Sequence, residues 1–280
     1  NTYRYRFDDP SLYGVSLGEE QTAPRTVRIP RALSQHVRIT GGVLPEVQRS
    51  LVTIADRIGL DRPFEGFVYA SADVNASCAR EPDGRVVVML SSSAVELLSG
   101  PELSFVIGHE FAHAVFEHYR YPSPDGSDDD VRLLELVRAA EISADRVGLA
   151  SCPSLDEALR AILKTASGLS DDHLDVDVSQ YLRQGAQLAY EPFDGVLEST
   201  HPPLVIRARS IVRFEPILRR GRSGASVRED LDRIDTEIFR DLEVATHGNG
   251  GSPVGRDAAF WRVAETICAD GALDSRERET

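Results

Sequence analysis

Positive charge of one kind is almost missing. Of 31 basic residues set against 45 acidic ones, only Lys164 is a lysine, and the net charge is −14. A surface that tracks a phosphate backbone carries a basic patch, so this balance speaks against a nucleic-acid partner. The arginine-for-lysine skew itself implies no function. Cysteine is also scarce: Cys78, Cys152 and Cys268 are widely spaced and odd in number. That excludes a disulfide framework and points to a reducing interior, with the cytoplasm as the expected location. No apolar run approaches the roughly 18–20 residues that cross a bilayer, and no signal-peptide pattern is seen, so no membrane span is expected. What remains is ordinary for a soluble globular protein. At 280 residues, with 41% hydrophobic and 27% charged content, the chain can bury a substantial core, as one large domain or one domain plus a smaller piece.

One stretch stands out, Val106-Ile-Gly-His-Glu-Phe-Ala-His-Ala-Val115. Phe105, Val106, Ile107, Phe111, Ala114, Val115 and Phe116 make it apolar almost all round, the mark of a core helix. Residues four apart lie one above the other on a helix, so the imidazoles of His109 and His113 can point at one metal ion. Glu110 flanks them, close enough to reach a water without having to bind the metal. That arrangement is the one a zinc hydrolase uses, with the carboxylate as general base. Buried polar groups must be paired or coordinate something, and a core helix with two histidines and a glutamate needs such a use.

A catalytic site of this kind needs a third protein ligand and a position left for water. Val131 to Leu149 is expected to form a second helix, apolar on more than one face, containing Ala139-Ala-Glu-Ile-Ser-Ala-Asp-Arg146. Glu141 and Asp145 share a face, and Ala139, Ala140 and Ala144 are small enough for close approach to the first helix. Glu141 is therefore the expected third ligand. Asp145, one turn on, can accept the free ring N–H of a ligating histidine and fix its tautomer. A third ligand downstream on the first helix is excluded, because Phe116 and Tyr119 stand where metzincins carry glycine and histidine. His118, five residues after His113, is expected to point elsewhere.

The rest of the chain reads in order. Residues 1–42 are an extension of extended or strand-like segments broken by proline (Tyr3-Arg-Tyr-Arg-Phe7, Val27-Arg-Ile29, Val37-Arg-Ile39). An amphipathic helix is expected over Leu44 to Leu60, then short strands at Phe67–Ser71, Asn75–Cys78 and Val86–Leu90, with Pro82-Asp-Gly84 as a turn. An edge strand beside the metal would pair with an extended peptide backbone. Ser91 to Leu98 starts a helix, and Pro101 suits the first turn of the metal helix. Tyr121 to Asp130 is an acidic, turn-rich connector. Helices are expected over 154–168, 178–190 and 227–245, and another after Thr200 or His201 as cap, with Pro202 and Pro203 in its first turn. The nine residues His247 to Gly255 form a glycine-rich linker before a helix at Asp257–Cys268.

With these pieces in place the chain resembles the HtpX and CAAX-prenyl-protease family of zinc metallopeptidases over about residues 70–215. The matching residues are Asn75-Ala76, Pro101-Glu-Leu103 leading into His109-Glu-Phe-Ala-His113, Glu141-Ile-Ser-Ala-Asp145, and Ser199-Thr-His-Pro202 with Arg207. The resemblance implies an α+β, zincin-like (gluzincin) domain over residues 43–246, mostly helical with a small sheet beside the cleft. It implies His109, His113 and Glu141 as ligands of one zinc ion per chain and Glu110 as base. It further implies His201 near the cleft to stabilise the oxyanion, and Arg207 to hold Asp145 or the substrate backbone. The membrane helices of some relatives are absent, so the soluble branch is the better match. Ser77-Cys78 departs from the family pattern: Cys78 is either a plain buried cysteine or a removable metal ligand. Residues 256–280 are similar to the opening of a TerB-like helical module, through which a regulatory partner could act.

The expected activity is a zinc-dependent endopeptidase acting on protein or peptide substrates. Two rivals are a non-catalytic or latent zinc-bearing interaction module and a DNA-associated protease of the SprT type; the latter needs a basic surface that the charge does not supply.

Overall fold

The computed structural model describes residues 29–121, 130–188, 201–220 and 225–247. The expectations for Tyr3–Phe7, the glycine-rich linker, the TerB-like segment and most of the acidic connector lie outside the described residues. Along the chain run α1 (Ile29–Gln35), β1 (Val37–Arg38), α2 (Pro45–Ile58), β2 (Phe64–Tyr69), β3 (Ala76–Arg80) and β4 (Val86–Ser91). The four strands form one sheet in the order β1-β2-β4-β3, in which β2 and β4 are parallel and the other two pairings antiparallel.

The central strand explains the layering. Val86-Val-Val-Met-Leu-Ser91 is buried at every position, as a strand covered on both faces must be. Val86, Val88 and Leu90 join the main core with Val47, Leu51, Ile54 and Ile58 of α2, while Val87 and Met89 pack with Phe67 and Ala32 of α1. Here one expectation is corrected. The proline-broken segment after Val27 is not all extended, because Ile29–Gln35 is helical. Pro30 falls in the first turn, where its missing N–H costs nothing, and Ala32 caps the second face of the sheet. Val37–Arg38 is a strand as expected, paired with Phe67 and Val68.

The remainder is helical: α3 (Ser92–Leu97), α4 (Gly100–Val115), a 3-10 turn at His118–Arg120, α5 (Asp130–Ser151), α6 (Leu155–Ser167), α7 (Val178–Leu188), α8 (Leu204–Arg220) and α9 (Ala225–His247). A mostly helical α+β domain with a small sheet is thus what forms, as the sequence implied. Pro202 and Pro203 precede α8 rather than opening it, and the Pro203 carbonyl accepts from the Ile206 and Arg207 N–H groups.

The axis of the fold is α4, which carries the histidines. Its start is fixed by a capping box, in which the Ser99 side chain accepts from the Glu102 N–H and the Glu102 carboxylate accepts from the Ser99 N–H. The sole lysine finds its use here. Lys164 Nζ, buried on α6, donates to Glu102 Oε2 at 2.9 Å and to Asp171 Oδ2 at 2.7 Å. A buried carboxylate at the head of the central helix is thereby neutralised.

Against α4 lies α5, at unusually close range. A Cβ placed on Gly108 would sit 2.2 Å from Ser151 Oγ and 2.5 Å from Ser151 Cβ; one on Gly148 would sit 2.9 Å from the Phe105 ring and carbonyl. Small residues let the helices approach as expected, and these two glycines mark points where no side chain would fit. On its far side, α5 is held by the buried Arg146, which pairs with Asp235 of α9 and stacks 4.9 Å above the Phe214 ring of α8.

Candidate metal centre

His109 and His113 are one turn apart on α4, and Glu141 and Asp145 one turn apart on α5. The close helix packing brings these two faces together. His109 Nε2 lies 3.2 Å from His113 Nε2. Glu141 spans both rings, Oε2 at 3.4 Å from His109 Nε2 and Oε1 at 3.5 Å from His113 Nε2. Ligand atoms of the three residues fall within 4.8 Å of one another. Tetrahedral zinc with bonds of about 2.0–2.1 Å separates its ligand atoms by about 3.3–3.4 Å, so these spacings fit an ion of that size. Glu141 Oε2 is buried and makes no hydrogen bond among the described residues. Two nitrogens and a carboxylate converging on one point, with a buried oxygen unsatisfied, are what an ion would complete.

Burial by itself would lower His109, but its hydrogen bond with Asp145 and the charges of Glu141 and Asp145 push it up to about 10. Burial, with His109, His118 and His201 nearby, outweighs the pull of Glu141 and takes His113 down to about 3. Burial would raise Glu141, yet the neighbouring imidazoles of His109, His113 and His201 hold it well below the usual carboxylate range.

Asp145 is fully buried. Its Oδ1 lies 2.9 Å from His109 Nδ1, and Arg207 donates to it twice, Nε to Oδ2 at 2.8 Å and Nη2 to Oδ1 at 2.6 Å. Of the two partners considered for Arg207, the guanidinium thus meets Asp145. The result is a relay from α8 through α5 to α4: Arg207 holds Asp145, Asp145 holds His109 with its Nδ1 protonated, and Nε2 faces the centre.

Two flanking groups complete the site. His201, just before α8, is 61% exposed at the side chain, with Nε2 3.6 Å from Glu141 Oε2. Glu110 extends from the same helix as the histidines, and its charge is felt at Tyr69, Cys78 and Arg207. Cys78 itself stands outside the converging group and packs against the core.

His118 requires a correction. As expected it is not among the converging ligand atoms, but it is not remote from them either: it is buried, and its Nδ1 lies 2.9 Å from His113 Nδ1, behind that ring. Helical spacing would have put it about 140° round the helix from His113, but α4 stops at Val115. Glu117 then takes a left-handed conformation, φ 58° and ψ 33°, and turns the chain back. The only cue in the sequence was a polar Glu-His pair following an apolar helix.

Comparison with known proteins supports the motif-based resemblance. Residues 44–123 match the family described as Peptidase family M48. A protein of Arabidopsis thaliana named plastoglobule-localized metallopeptidase 48, chloroplastic, is 22% identical over 225 residues, covering 69% of this chain. The chain spans 65% of that relative's length. No solved structure matches. Among the described residues no helix is long and apolar enough to cross a membrane.

Proposed function

We propose that this chain, with its peptidase family M48 match lying over the histidine helix, is a zinc-dependent endopeptidase. The observation that carries the proposal is the convergence of His109, His113 and Glu141 at separations suited to one tetrahedral ion. A zinc ion held by His109, His113 and Glu141 would supply Lewis acidity toward the scissile carbonyl and a water molecule. The chain's own groups do the rest. The Glu110 carboxylate takes the proton from the attacking water and passes it to the leaving amide nitrogen. His201, exposed beside Glu141, donates to the oxygen on which negative charge develops. Arg207 acts on substrate only through Asp145 and His109.

Substrate binding falls to β3. It pairs with β4 on one side, and among the described residues its other edge has no strand partner. An extended peptide can add there, hydrogen-bonded through its backbone with little demand on sequence. The unpaired thiols of Cys78 and Cys152 suit the reducing, cytoplasmic setting inferred from composition. The acidic net charge leaves protein or peptide, rather than nucleic acid, as the partner.

The test is the Glu110→Gln variant assayed on a peptide library beside the wild-type chain, with and without a chelator. Cleavage should fall by at least about 10²-fold while zinc stays near one per chain. Full retained activity, or loss of the zinc, would contradict the role given to Glu110. A wild-type chain that binds no zinc and cleaves nothing overturns the proposal as a whole.

A further inference from the structure

The return of the chain after α4 is costly for a non-glycine residue. Among the described residues Glu117 is the sole non-glycine with positive φ, and such outliers persist only where surrounding contacts over-determine them. Here they do. Glu117 accepts from Arg62 Nη2 at 2.7 Å, Arg120 Nη1 at 3.0 Å and the Tyr119 hydroxyl at 3.1 Å. Tyr119 in turn receives Arg80 Nη1 from β3 at 2.9 Å. What this clamp achieves is the placement of one ring. His118 lands between Phe116 and Tyr121, centroids 5.5 and 5.3 Å away, with its Nδ1 against His113 Nδ1.

We propose that His118 is a positioning residue for the metal centre: its Nδ1 accepts from His113 Nδ1–H, so that His113 turns a bare Nε2 toward His109 and Glu141, and the Glu117 reversal exists to hold it there. This rests on the metal-site reading above. Between two Nδ1 atoms one must donate and the other accept. A ligating His113 has its lone pair on Nε2 and its proton on Nδ1, so His113 is the donor. His118 then accepts through Nδ1 and carries its own proton on Nε2. The two ligand imidazoles are consequently backed unequally, His109 by a buried carboxylate and His113 by a second imidazole. A carboxylate behind an imidazole makes it the stronger ligand, so His113 is the weaker arm of the site.

The experiment measures zinc affinity of the full chain by chelator competition, with cobalt as a spectroscopic probe. His118→Leu fills the slot between Phe116 and Tyr121 but accepts no hydrogen bond. Zinc affinity should fall about 10–100-fold, the range for lost partners of ligand histidines. The cobalt absorption should change shape, and an exchange-protected imidazole N–H resonance of the zinc-loaded protein should disappear. His118→Asn, whose Oδ1 replaces the acceptor, should recover most of the affinity. The melting temperature of the metal-free protein should be nearly the same in both variants. Wild-type zinc affinity in His118→Leu overturns the proposal. So does a loss of affinity that Asn fails to restore, or one matched by equal destabilisation of the metal-free protein, since packing alone would produce those results. A wild-type chain that binds no zinc fells the metal-site reading and this proposal with it, whereas zinc bound equally by wild type and His118→Leu fells this proposal alone.

Discussion

Gly108→Ala tests the helix contact that the centre depends on. In an isolated helix this change should stabilise by about 1 kcal/mol, because glycine is the poorer helix former. The fold reverses the sign. The new methyl would lie 2.5 Å from Ser151 Cβ and 2.2 Å from Ser151 Oγ, with the Val147 carbonyl at 3.2 Å. Carbon atoms pack at about 3.5–4.0 Å, so α5 has to retreat by about 1 Å. No rotamer relieves this, since both Cβ atoms are fixed to backbone. Overpacking of this kind costs about 1–3 kcal/mol, and a clash between two such atoms belongs at the upper end. The net expectation is a loss of about 2 kcal/mol, or about 4–8 °C in melting temperature for a domain of this size. Because α5 carries Glu141, zinc affinity should fall as well. Gly108→Ala combined with Ser151→Gly removes both short contacts, and the pair should show a favourable coupling of about 1–2 kcal/mol. Urea and thermal unfolding of the four proteins, with zinc affinity by chelator competition, measure all of this. A Gly108→Ala protein more stable than wild type, or a coupling below about 0.5 kcal/mol, would refute the close contact.

Two further outcomes follow from the buried groups. Arg207→Met leaves the fully buried Asp145 without its bidentate partner and should cost about 3–5 kcal/mol in urea unfolding of the metal-free chain. Adding Asp145→Asn should cost less than the sum of the two single changes, and strict additivity would sink the relay. In a Cys268→Ser background, both remaining thiols should react slowly with a disulfide reagent at pH 8 and at once in urea. Burial raises Cys152 to about 11 and lifts Cys78 well above its ordinary value, with the Glu110 charge adding to the latter. Rapid reaction of either thiol in the folded protein would show that its burial is misjudged.

The residues of the centre were legible because helical periodicity is local. His109 with His113, and Glu141 with Asp145, each share a helix face by spacing alone, and an apolar helix with polar residues four apart leaves few other uses for them. The alternation of short strands with a turn at Pro82–Gly84 announced the sheet in the same way. Val86–Leu90 was expected as a short strand; that it is buried on both faces emerged only from the structure.

Other features depended on residues distant along the chain. That Arg207 meets Asp145, rather than lying exposed, depends on how α8 crosses α5. The alanines suggested that two helices could approach, but only their packing showed how tightly Gly108 and Gly148 seat against the facing helix. His118 was misplaced by the assumption that the helix ran on. A reversal at Glu117, held by Arg62 from 55 residues earlier, cannot be read from local spacing. Helix faces repeat over a few residues and so are written in the sequence; ion pairs, close approaches and strained turns depend on which segments meet, and the chain settles that only by folding.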